Sequence, residues 1–77
     1  MKIYKVERPN GEWGYDEYDS FVCVASSEED ARKMHPGGID GTWATWPCSP
    51  DRLEVTEIGT ASPDTAARVF LASFNPG

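Results

Sequence analysis

The chain has 77 residues, 13 Asp and Glu against 7 Lys and Arg, a net charge of −6, and 39% hydrophobic residues. That length fits one domain over 1–77 with a small core. The acid excess argues against direct nucleic-acid binding through a basic, phosphate-tracking patch, and no apolar run approaches the length of a membrane span.

The first predicted element is KIYKVE, residues 2–7, which alternates with Tyr4 and Val6 on one face and Ile3 and Lys5 on the other. Half-buried alternation with lysines reads as a strand at a sheet edge. No uninterrupted apolar stretch follows Lys2 and Lys5, so no cleaved leader is expected and the chain is placed in the cytoplasm. Pro9, Asn10-Gly11 and Gly14 make a turn-rich connection, and the second strand is expected from about Tyr18. Its run Phe21-Val22-Cys23-Val24-Ala25 is apolar on both faces and suits a central position.

Ser26-Ser27-Glu28-Glu29-Asp30 is a helix start. Ser26 and Glu29 have the capping-box spacing, and the acids complement the helix N-terminus. Arg32 and Lys33 suit the last turn and Pro36-Gly37-Gly38 the stop, giving a helix of two to three turns with Ala31 and Met34 facing inward. Residues 37–51 read as a loop carrying Trp43 and Trp46. Residues 52–58 alternate, with Leu53 and Val55 inward and Gly59 marking an end or a bulge. After a turn at Ala61-Ser62-Pro63-Asp64, residues 68–74 form a last strand, again apolar on both faces and read as central.

The expected fold is α+β in the order ββαββ: a mainly antiparallel four-stranded sheet with one short helix on one face. One short helix cannot cover both faces of two double-sided strands. The second face is left to the Trp43/Trp46 loop, a second copy of the chain, or a target protein.

The residues give little to catalysis. His35, the sole histidine, sits at the predicted helix end and suits a capping role there. No Gly-rich phosphate loop and no HExxH is present, so the protein is not expected to be an enzyme and no cofactor is implied. Cys23, His35 and Cys48 are the only soft metal ligands, and Cys23 lies within the apolar run, where a thiol acts as a small hydrophobe. Whether Cys23 and Cys48 pair is left open by their spacing. Asp16, Glu17 and Asp19 lack the spacing of a calcium loop, so no metal site is expected.

From Pro9 to Ala31 there are seven acids and no Lys or Arg. Glu12, Asp16, Glu17, Asp19, Glu28, Glu29 and Asp30 therefore form the candidate contact face, with Trp13, Tyr15 and Tyr18 as aromatic anchors. Aromatics supply contact area and acids steer a partner with a basic surface. The plainer reading is a solvated acidic surface with rings that roof a thin core.

The segments MKIYKVERP, YDEYDSFVCVASSEEDARKMHP, IGTA and RVFLASFNPG together resemble a group of very short bacteriophage and prophage proteins. These share a tyrosine/aspartate-rich approach to a strand, a SEEEAR-like helix and an ASFNAG-like closing strand. Pro76 stands where a small residue such as Ala is expected. The resemblance spans nearly the whole chain and transfers no site. It implies a phage context, in which small acidic proteins without enzymatic motifs often inhibit host proteins, anti-CRISPRs among them. The leading expectation is such an inhibitor, acting in the host cytoplasm on a host protein with a basic surface. The alternatives are a self-associating homodimer, or a sponge for a small nucleotide signal drawing on Arg8, Arg52 and Arg68.

Overall fold

A computed structural model describes residues 1–9, 17–38 and 45–75. Four strands, β1 (Lys2–Glu7), β2 (Glu17–Ala25), β3 (Glu54–Thr60) and β4 (Arg68–Asn75), form one antiparallel sheet in the order β3-β1-β2-β4. Among the described residues a single α-helix, α1 (Glu28–Arg32), follows β2, and a 3-10 turn at Pro50–Arg52 leads into β3. The α+β architecture with ββαββ order is the one expected.

The strand order corrects two expectations. β1, expected at an edge, is central, and β4, expected to be central, is an edge. The alternation of β1 reflects one covered face, not a free edge. Tyr4 and Val6 are buried opposite Cys23 and Phe21, while Lys5 stands opposite Val22 on the other face and pairs with Glu7 at 3.5 Å. β4 is apolar on both faces yet lies outermost, so Phe70, Leu71 and Phe74 stay exposed.

The core lies between the sheet and α1. Tyr4, Val6, Phe21, Cys23 and Ala25 meet Ala31, Trp46, Cys48 and Leu53 there. Trp46 is buried and meets Phe21 edge to face, ring centroids 5.4 Å apart. It therefore covers the helix side of the sheet, which leaves the second face to the other two alternatives, a second copy or a target protein. Trp43 lies outside the described residues, as does the Asn10-Gly11 turn.

The helix spans five residues, shorter than expected, and its cap is shifted by one. Ser27, not Ser26, is the N-cap, and its hydroxyl accepts from the Asp30 backbone N–H at 3.2 Å. Ser26 Oγ donates to the Asp30 carboxylate instead. The helix ends before Pro36, with Lys33 as its C-cap. Arg32 anchors that end by donating to the carbonyls of Pro50 and Leu53 at 3.0 and 2.7 Å. A bulge at Ile58 breaks the β1–β3 register beside Gly59, where Ile3 packs closely.

Candidate functional site

Of the ten residues singled out above, Glu12, Trp13, Tyr15 and Asp16 lie outside the described residues. The other six fall into two groups. Glu17, Tyr18 and Asp19 open β2, whereas Glu28, Glu29 and Asp30 begin the helix that follows its far end. At about 3.3 Å per residue, the six steps of β2 from Asp19 to Ala25 span roughly 20 Å between the groups. The structure does not bring them into one patch.

The first group is partly structural. Arg8 is buried, and its guanidinium donates to Glu17 Oε1 at 2.7 Å and to the Tyr18 carbonyl at 3.4 Å. Its backbone N–H donates to the Asp19 carbonyl, extending the β1–β2 ladder by one step. Glu17 therefore serves a cation of its own chain. The absence of basic residues between Pro9 and Ala31 hid this pair, because Arg8 lies just before that stretch. Tyr18 is half-buried, meets Phe74 at 5.0 Å between ring centroids, and lies edge to face with His35 at 6.2 Å. Asp19 accepts from the Ser20 hydroxyl at 2.9 Å.

The second group is exposed. Glu28 and Glu29 make (i, i+4) pairs with Arg32 and Lys33, each at 3.4 Å. Surface pairs of this kind contribute little and are screened by salt, so both carboxylates remain open to a partner.

His35 caps its own turn rather than the helix. Its Nδ1 accepts from the Gly37 N–H at 2.8 Å, and Nε2 lies 3.4 Å from Thr45 Oγ1. Gly38 follows with φ +74°, a left-handed position suited to glycine. A shallow cleft of about 640 Å³ separates this turn from the start of β4, lined by Lys33, Met34, His35, Pro36, Arg68 and Val69 among others. Cys23 and Cys48 are both free and buried, and desolvation pushes the Cys23 thiol up to about 11. Among the described residues, no three His, Cys, Asp or Glu side chains gather as a metal site would require. No helix among them is long and apolar enough to cross a membrane.

The apolar surface that the double-sided strands were expected to leave uncovered is found on β4. On β4, Phe70 is 47%, Leu71 64% and Phe74 42% exposed. The double-sided run of residues 68–74 carries that signal, and only the position of the strand, at an edge and not in the centre, differs from expectation. Comparison with known proteins finds no matching family model, no matching curated relative and no matching solved structure.

Proposed function

We propose that this is a non-enzymatic binding protein that acts by occupying a surface of another protein, with a host protein as target in the phage context suggested by the resemblance. The observation that carries this reading is the edge strand β4, which leaves Phe70, Leu71 and Phe74 exposed on a chain of net charge −6. Exposed apolar residues on an edge strand fit contact with another polypeptide. The exposed acids Glu28, Glu29 and Asp30, with Asp19 at the other end of β2, add charge that attracts a basic target.

The test is capture of partners from a bacterial lysate on the immobilised protein, followed by mass spectrometry. Glu17 is unsuitable for charge reversal, because a lysine there would face buried Arg8. Asp19→Lys and the double variant Glu28→Lys/Glu29→Lys keep the core contacts and are the variants to use. A specific partner retained by the wild type and lost by the double variant supports the reading. No partner, or one held equally by every variant, overturns it.

A further inference from the structure

We infer that the outer edge of β4 is the interface of a homodimer, in which two copies pair their β4 strands antiparallel into one continuous eight-stranded sheet. The inference rests on the reading of β4 as a contact surface and names its occupant. Among the described residues no strand pairs with this edge.

Charge selects a second copy over a basic target. The protein carries 13 acids, but none falls between Thr65 and Gly77, where Arg68 is the only charged side chain. Charge steers a basic target towards the acids at the helix start, while β4, whose one charge is Arg68, contacts it through apolar side chains alone. Two copies of an acidic chain repel each other wherever acids meet, and β4 is the strand on which they do not. The opposite edge carries acids: β3 exposes Glu54 and Glu57, the latter paired with Lys2 at 3.1 Å, and Glu54 would oppose the approach of a second β3.

The direction of pairing follows from the same charges. A parallel arrangement would put Arg68 beside Arg68. An antiparallel one, centred on Leu71–Ala72, puts Arg68, beyond the bulge at Phe70, near the Asn75 end of the second copy. Asn75 is itself in register with Glu17 on β2. Each Arg68 then lies two strand spacings, about 10 Å between backbones, from the end of the other copy that carries Glu17 and Asp19. That is within reach of an arginine side chain. Arg68 is exposed and makes no ion pair with any described residue of its own chain, so it is available for this contact. The two-fold arrangement is self-complementary, as a closed dimer requires.

Phe70, Leu71 and Phe74 expose roughly 300 Å² per copy, and the paired backbone adds to it, so a contact at the small end of the range and a concentration-dependent dimer are expected.

Size-exclusion chromatography with light scattering, from about 1 to 500 μM, tests the inference. The expected mass is twice the 8.5 kDa of the chain. Leu71→Lys, at an exposed position on the edge, should give a folded monomer by circular dichroism. Arg68→Glu, which sets an acid against the acidic end of the other copy, should raise the dissociation constant at least tenfold. Glu54→Lys on the opposite edge should leave the dimer intact. A wild type monomeric throughout, or a dimer indifferent to both β4 variants, overturns the inference. If the wild type is monomeric but Leu71→Lys abolishes capture of the lysate partner, the dimer falls while β4 stands as a contact surface. If that capture also persists, both fall.

Discussion

Replacing Glu17 by alanine should destabilise the fold by about 2–3 kcal/mol, and more than replacing Arg8 by methionine. The Arg8 side chain is 5% exposed and that of Glu17 24%, with 2.7 Å between their charged atoms. Losing the carboxylate removes the 2.7 Å charged acceptor of a buried guanidinium. For a fully buried pair that costs about 3–5 kcal/mol. Here Glu17 keeps some contact with water, and the Tyr18 carbonyl still accepts from Arg8, so the lower figure applies. Arg8→Met removes the buried charge itself and keeps much of the stem's packing, while the remaining carboxylate turns towards solvent. About 1 kcal/mol is expected for that variant. Urea unfolding followed by tryptophan fluorescence reads both, since Trp46 is buried against Phe21 and should redden on unfolding. The order of the two variants decides the matter. A larger loss for Arg8→Met, or a loss under 0.5 kcal/mol for Glu17→Ala at unchanged m-value, would refute the account of the pair.

Two further predictions concern single side chains. The Cys23 thiol is held up from 9.0 to about 11 by desolvation, so between those values the unfolded chain loses a proton that the native chain keeps. Stability is therefore unaffected by this group below pH 9 and falls as pH rises towards 11, by on the order of 2 kcal/mol. Cys23→Ala should remove that part of the slope when urea midpoints at pH 8 and pH 10.5 are compared, and equal slopes would count against it. At the helix start, Ser27→Ala should cost about 1 kcal/mol and Ser26→Ala less than half of that, because only Ser27 accepts from a helical N–H. Thermal unfolding of the two variants tests the order, and the reverse order would restore Ser26 as the cap.

Local chemistry was legible in the sequence and strand order was not. The alternation of Tyr4 and Val6, the double-sided run of β2, the acids and serines before α1 and the alternation of β3 each identify an element from its own residues. Neighbour choice depends instead on partners more than forty residues apart, such as Val6 beside Val55, and no local pattern carries that information. The misreading of β4 has a physical cause. Period-two patterning reports how much apolar surface a strand has, and a buried strand and a sticky edge share that property. The candidate site was harder still. Counting charges along the chain could not show that Glu17 is held by Arg8, because the register that joins them belongs to the β1–β2 ladder.

The two groups of acids therefore have different roles open to them. They are separated by roughly 20 Å along β2, about two Debye lengths or more at physiological salt, so a small basic patch would respond to one group at a time. At the Glu17 end, part of the negative charge is offset by Arg8, and a β4-paired dimer would bring Arg68 of the second copy towards it as well. At the helix start, the side chains opposing Glu28 and Glu29 are exposed or half-exposed cations of the same helix turn, held by pairs that salt and competing partners can displace. The steering charge of the proposed binding protein accordingly belongs to Glu28, Glu29 and Asp30. In an antiparallel dimer that charge would be presented twice, once on each side of the two-fold axis, so a target with two basic patches would gain avidity that a monomer lacks.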